Sequence, residues 1–268
     1  NIMNKYVDKF VITEATYMHS GRPKKLVFDI NKFSKFKDKI IYNVVDKQPS
    51  NKVPVNESDD EETKGEKLIN NSNKREHYQR NMAQKYLSKA EPDDIILIND
   101  VDEIPNLKEV NFNKIKKKLI IFKQKMFFYK FNLLHEKLCW HGSRACKKKD
   151  FISPQWLREL KFKKRLFWRL DKLQLNNIIE NGGWHFCNLK NAEQLLYKYK
   201  NLCETNDPYN FKEKIDEKYL KLDEIKKRIS RGEDIIGRNE IYKAKKLDSS
   251  FPKYILDNIS AYKEWIVD

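Results

Sequence analysis

The chain has few of the residues that build special scaffolds. No apolar run approaches the ~20 residues needed to span a bilayer, and nothing at the start reads as a signal peptide. The 4 cysteines (Cys139, Cys146, Cys187, Cys203) include no C-x-x-C pair and no zinc-ligand spacing. Buried thiols in a reducing compartment are the default, with a Cys139–Cys146 bridge across a hairpin as the alternative. No internal repeat is present, which leaves solenoid architectures without support. Glycine is scarce, at 7 in 268 residues, and only Gly65 lies in a polar stretch. The others cluster beside Trp, His and Arg, as in Trp140-His141-Gly142-Ser143-Arg144 and Gly182-Gly183-Trp184-His185. That placement suits backbone shaped around a ligand.

What is present is globular. Apolar residues make up 40% and aromatics 12%, enough for one good core. The formal charge of +16 favours anionic partners such as nucleotide phosphates, acidic glycans, nucleic acid or membrane surfaces. Arg is scarce, however, and the lysines are dispersed (Lys35, Lys37, Lys39; Lys123, Lys125) rather than gathered into a block. No specific nucleic-acid partner is therefore expected.

Periodicity gives an α/β order. Tyr6–Ala15 alternates and then runs apolar, while Ile40–Val45 and Ile95–Ile98 are short apolar runs closed by acidic residues. Such runs suit strands buried on both faces of a parallel sheet. Between the last two, Lys74–Leu87 is helical in pattern, with Tyr78, Met82 and Tyr86 spaced by four. Leu119–Leu134 reads as one long strand or a hairpin. Asn191–Cys203 reads as a short amphipathic helix, and Phe211–Arg231 as a surface helix closed by Gly232. Residues 50–73 are polar and charged, and read as a mobile loop outside a single domain spanning 1–268.

The most informative stretch is Asp93-Asp94-Ile95-Ile96-Leu97-Ile98-Asn99-Asp100-Val101-Asp102-Glu103-Ile104-Pro105. A buried strand delivers two carboxylates, one residue apart, to its end, where α/β proteins place their ligands. Carboxylate oxygens are preferred ligands of Mg²⁺ and Mn²⁺, and such an ion can bridge to a bound diphosphate. An acidic turn, a phosphotransferase and a nuclease all fit the same pattern.

Further blocks lie in order along the chain: Phe10-Val11-Ile12-Thr13-Glu14-Ala15, His19-Ser20-Gly21-Arg22-Pro23-Lys24-Lys25-Leu26-Val27-Phe28, Asp38-Lys39-Ile40, Gln79-Arg80, Pro92-Asp93-Asp94, Asp100-Val101-Asp102-Glu103-Ile104-Pro105, Gly183-Trp184-His185 and Pro252-Lys253-Tyr254. With them the chain resembles the family 17 glycosyltransferases, the bisecting β-1,4-N-acetylglucosaminyltransferase family. The resemblance implies a GT-A-like nucleotide-sugar-binding fold with a mostly parallel central sheet flanked by helices. It also implies one further strand before the first residue. By the same resemblance, Mn²⁺ or Mg²⁺ sits on Asp100 and Asp102, with His185 as third ligand or as a core histidine. The donor it implies is a UDP-sugar, UDP-N-acetylglucosamine by analogy, passed to a glycan or glycoconjugate hydroxyl with inversion. Arg80, Arg144 and Arg238 are candidates for the diphosphate, or structural ion pairs. Glu14 either faces the nucleotide or pairs with Arg80. Trp140 or Trp184 either stacks on a ring or packs in the core. Inversion needs a general base, for which Glu103 is the first candidate and Asp171 and Glu180 the others. Leu202-Cys203-Glu204-Thr205 stands where the family carries Ser-His, a departure that bears on the acceptor. A metal-dependent nuclease or phosphotransferase, and a non-catalytic glycan-binding protein, are the rival readings.

Overall fold

The strands are short, and the connections that follow Ile98, Phe122, Phe128, Trp140 and Ile179 are too short to hold a crossover helix. The structure, a computed structural model, describes residues 1–115, 118–160, 176–201 and 215–267. The chain runs through β1 (Phe10–Ala15), β2 (Ile40–Val45), α1 (Glu61–Asn81), β3 (Ile95–Ile98), β4 (Glu103–Pro105) and β5 (Leu119–Phe122). It continues through β6 (Gln124–Phe128), β7 (Leu133–Trp140), β8 (Arg144–Lys147), α2 (Pro154–Glu159), β9 (Asn176–Ile179) and β10 (Gly183–Cys187). It closes with α3 (Ala192–Asn201), α4 (Leu222–Ser230), β11 (Lys243–Ala244) and α5 (Lys253–Leu256). This is a mixed α/β fold. Among the described residues no helix is long and apolar enough to cross a membrane.

Two units divide these elements: Asn1–Val7, Leu87–Leu189 and Tyr242–Asp268 form one, and Asp8–Tyr86 with Lys190–Ile241 the other. The first unit holds two sheets, ordered β11-β7-β6-β10-β4 and β3-β8-β5-β9. Four successive strand pairs leave one sheet and enter the other: β3 to β4, β5 to β6, β7 to β8 and β9 to β10. At the β5–β6 crossing, Lys123 N–H donates to the Ile179 carbonyl (3.1 Å) and its carbonyl accepts from Gly182 N–H (2.9 Å). These bonds tie it to the β9–β10 crossing. Leu119–Leu134 is therefore β5, β6 and the start of β7. Tyr129, at φ 62°, begins the reversal into β7, and its N–H donates to the Cys187 carbonyl (2.9 Å).

The expected mostly parallel sheet is corrected by this topology. Ladders β1–β2, β6–β10 and β5–β9 are parallel. Ladders β4–β10, β7–β11, β3–β8, β5–β8 and β6–β7 are antiparallel. A tight hairpin such as β6–β7 can only be antiparallel, because a parallel return needs a longer crossover. Cys139 on β7 and Cys146 on β8 lie in different sheets, and no disulfide joins them.

An aromatic core covers one face of the five-stranded sheet, where Phe127, Phe131, Trp184, Phe186, Phe251 and Ile255 pack together. Each such side chain, fully buried, contributes roughly 1.5–3 kcal/mol before the entropy of ordering it. Gly183 makes the sheet edge possible. It sits at φ +118°, and a Cβ there would lie 2.1 Å from the Ile104 carbonyl oxygen. No other residue allows β10 to approach β4 so closely.

In the second unit the parallel pair β1–β2 carries α1, and Ala15, Tyr17 and Val45 pack with Tyr78 and Met82. The helix begins well before the pattern at Lys74, and this corrects the loop expected over 50–73 from Glu61 onward. Asp60 caps it by accepting the Thr63 N–H at 2.7 Å, and Glu61 and Glu62 occupy its first turn. Its inward face there is small and polar (Gly65, Asn71, Ser72) rather than apolar. Asn71 binds both polar groups of the Val53 backbone at 2.7 Å, which fixes the approaching chain. Helix α3 matches the sequence reading over its described residues. The helix expected over Phe211–Arg231 is corrected at its start, where Asp216 accepts the Lys218 N–H and opens a separate short turn, Glu217–Tyr219, so that α4 begins only at Leu222. Asn191 and Gln194 cap α3 reciprocally (2.8 and 3.2 Å), and Gly232, at φ +67°, follows the end of α4.

Glu14 is held within this unit by Lys24 Nζ (2.6 Å), the Val27 and Phe28 N–H groups (2.8 and 3.0 Å) and the Tyr42 hydroxyl (2.9 Å). Burial works to raise its pKa but is outweighed by these donors, which hold it near about 2 instead of 4.5. A depressed folded pKa gives stability that is complete above the unfolded value and lost as pH falls through the folded one. Wild type should therefore exceed Glu14→Gln in urea stability above pH about 4.5, with the gap closing toward pH about 2. A gap that stays constant down to pH about 2 would show that the charge contributes nothing.

Candidate active site

The β3–β4 crossing is a turn locked from within. Glu103 N–H donates to the Asp100 carbonyl at 3.1 Å, and the Asn99 amide reaches the same carbonyl at 3.1 Å. Val101 stands at the tip, fully exposed. The Asp100 and Asp102 carboxylates flank it at 41% and 40% exposure. The apolar run of β3 thus ends in two half-exposed acids flanking an exposed valine in sequence.

Beneath the turn lies Glu103, whose side chain is wholly buried. Trp140 Nε1 donates to its Oε1 at 2.6 Å, and Ser143 Oγ to its Oε2 at 2.9 Å. Arg158 grips both oxygens, Nη2 to Oε1 at 2.7 Å and Nη1 to Oε2 at 3.1 Å. The Asp100 N–H completes the set at 3.2 Å. Arg158 Nη2 also pairs with Asp100 Oδ2, and its guanidinium lies 5.8 Å from the centre of the Trp140 ring. A Cβ on Gly142 would fall 2.1 Å from Glu103 Oε1 and 2.1 Å from Trp140 Nε1, so the hub requires glycine there.

This geometry corrects the reading of Glu103 as general base. A base must reach the acceptor hydroxyl, whereas this carboxylate is sealed from solvent and engaged by the chain's own donors. Its work is to hold the turn. Of the other candidates, Glu180 is exposed and paired with Lys123 at 2.7 Å, and Asp171 lies outside the described residues.

Strand β10 sends consecutive residues to opposite faces. Trp184 is buried in the aromatic core and donates Nε1–H to the Ser250 carbonyl at 3.0 Å. It is therefore a core residue, not a stacking platform. His185 faces the turn: its Nε2 lies 3.4 Å from Asp102 Oδ1, and its ring sits 5.2 Å from that of Trp140 at a 35° tilt. Cys187 Sγ borders the same imidazole at 3.3 Å. Trp140, 37% exposed, is the aromatic at the site.

Arg144 is also reassigned. Its Nη1 donates to the Leu160 carbonyl at 2.6 Å and the Leu157 carbonyl at 3.4 Å, and its Nε to His141 at 3.3 Å. It closes the end of α2, the helix that carries Arg158, instead of reaching outward. Burial first, then the neighbouring Arg158 charge, lower its pKa from 12.5 to about 10. Glu14, Arg80 and Arg238 belong to the second unit. Arg80 pairs with Glu76 at 2.5 Å, one turn earlier on α1, so the Glu14–Arg80 alternative is not what forms. Arg238 is exposed, with its N–H on Asp234 Oδ2 at 2.9 Å.

The structure thus brings together Asp100, Asp102, Glu103 and His185 from the expected set, and adds Arg158 and Ser143. The 3.4 Å between Asp102 and His185 suits two ligands of one cation about 2.0–2.2 Å from each. Among the described residues no three His, Cys, Asp or Glu side chains form a ready-made cluster, and Asp100 is drawn to Arg158. Asp100, Asp102 and His185 are thus the residues that could hold a divalent ion here, and they would do so only with further ligands from outside the chain.

A family model, glycosyltransferase family 17, matches residues 1–263. A search of curated proteins found no match, and a search of solved structures found none.

Proposed function

The chain belongs to glycosyltransferase family 17, and from that premise we propose that it moves N-acetylglucosamine from a UDP donor to a glycan hydroxyl, with inversion, on a GT-A-like scaffold. The observation that carries this reading is the Asp100–Asp102 turn with His185 at 3.4 Å from Asp102. Asp100, Asp102 and His185 would hold Mn²⁺ or Mg²⁺. When bound, the ion supplies Lewis-acid stabilisation of the charge that grows on the departing diphosphate. The chain's own residues do the rest of the positioning. Glu103 and Ser143 fix the turn from below, and His185 is held between Trp140 and Cys187. Trp140, 37% exposed and in ring contact with His185, offers apolar surface to a sugar ring.

Two half-exposed carboxylates bind a divalent ion weakly by themselves, and a diphosphate adds oxygen ligands. Thermal shift with Mn²⁺ and UDP together should therefore exceed the sum of the separate shifts. Asp102→Asn should remove the excess without moving the ligand-free melting temperature. A purely additive response in wild type would refute the metal-bridged donor.

A further inference from the structure

We infer that Arg158 is a positioning residue that occupies Asp100 in the absence of nucleotide, making divalent-metal binding conditional on the donor diphosphate. The inference rests on the metal-dependent reading above and assigns a role to a residue that reading does not use.

Arg158 holds two carboxylates with one guanidinium. Both of its terminal nitrogens bind Glu103, at 2.7 and 3.1 Å, and one of them turns outward to Asp100 Oδ2. Its side chain is 10% exposed, whereas that of Asp100 is 41% exposed. The cation thus sits behind the turn and reaches a carboxylate at the surface. A guanidinium keeps its proton at any working pH, so this charge is permanent. It is also anchored. The buried Glu103 grips it, Trp140 flanks it, and α2 is fixed at both ends, by Ser153 capping Trp156 N–H (3.1 Å) and by Arg144 on the Leu160 carbonyl (2.6 Å).

A divalent ion arriving at Asp100 must share its carboxylate with this cation, a few ångström from a fixed positive charge. That repulsion opposes metal binding. A diphosphate brings negative charge to the same place and cancels it. Metal and nucleotide are then thermodynamically coupled, each improving the other's affinity by the same factor. If Arg158 were only the counter-ion of buried Glu103, its contact with Asp100 would have no consequence for the metal.

The test is a Mn²⁺ titration read by electron paramagnetic resonance of the free ion, with and without UDP. It compares wild type, Arg158→Gln and the double variant Glu103→Gln/Arg158→Gln. The double variant removes one charge of each sign, so its net charge is unchanged and no buried ion is left unpaired. Any gain in metal affinity would then come from releasing Asp100. We expect wild type to bind Mn²⁺ weakly alone and about tenfold or more tightly with UDP, within the usual range of coupling. Both variants should bind Mn²⁺ alone about tenfold more tightly, with a correspondingly smaller effect of UDP. A folded double variant with wild-type Mn²⁺ affinity and undiminished UDP coupling overturns the role of Arg158 while the metal reading stands. Wild type that binds no Mn²⁺, with or without UDP, overturns both.

Discussion

Asp102→Asn is expected to slow sugar transfer by about 10³-fold, because a Lewis-acid metal supplies several kcal/mol to the transition state and each ~1.4 kcal/mol is a decade in rate. Asn keeps the shape of the side chain and discards the charge that would hold the proposed ion. The fold should not notice. Asp102 is 40% exposed at a turn, the hydrogen bond from Phe186 N–H at 2.9 Å goes to its backbone carbonyl, and Asn leaves an oxygen or amide facing His185. Exposed substitutions away from special features usually stay within about 0.5 kcal/mol. The measurement is a coupled UDP-release assay with acceptor present, paired with a melting curve. Activity within tenfold of wild type would remove Asp102 from the metal site.

The second large effect is on stability. Glu103→Ala should destabilise the protein by about 3–5 kcal/mol, the usual cost of removing one partner of a buried ion pair. Arg158 would keep its charge at 10% exposure without its main acceptor, and Trp140 and Ser143 would each lose an acceptor. For a chain of this size that corresponds to a fall in melting temperature of roughly 10 °C. Equilibrium denaturation followed by circular dichroism would report it. The opposite pattern, an unmoved midpoint with a rate loss of ~10²–10⁴-fold, would return Glu103 to the role of general base.

That contrast shows where the sequence could be read and where it could not. The apolar runs Ile40–Val45 and Ile95–Ile98 are β2 and β3 residue for residue, but neither is buried on both faces of a parallel sheet: β2 exposes Val44, and β3 is an edge strand paired antiparallel with β8. The Asp100–Asp102 turn follows directly from the end of β3. Glu103 misleads because a third acid after two exposed ones looks exposed as well. Its burial depends on Trp140, Ser143 and Arg158, which lie 37, 40 and 55 residues away in sequence. Arg158 left only a local trace, the Ser153-Pro154 start of α2, which announces a helix but not a partner for Arg158. The first half of α1 was missed because its buried face is Gly65, Asn71 and Ser72, which carry no hydrophobic period. Trp184 and His185 could have been separated in advance, since neighbours on a strand point to opposite faces.

Strand β10 has a consequence for how this chain can change. Its odd and even positions meet different surroundings: Trp184 and Phe186 the aromatic core, His185 the carboxylate of Asp102. Substitution there should be tolerated with a period of two, core positions accepting other large apolar residues and the position between them accepting almost none. A single inserted or deleted residue would be worse than any substitution. It would turn an imidazole into the core and an indole toward the acids in one step, since a one-residue slip exchanges the faces of a strand. Gly183 bars a compensating slip at the strand's entry, because the approach to Ile104 admits no side chain. Length variation among descendants of this sequence should therefore collect outside Gly182–Cys187, however freely its individual letters drift.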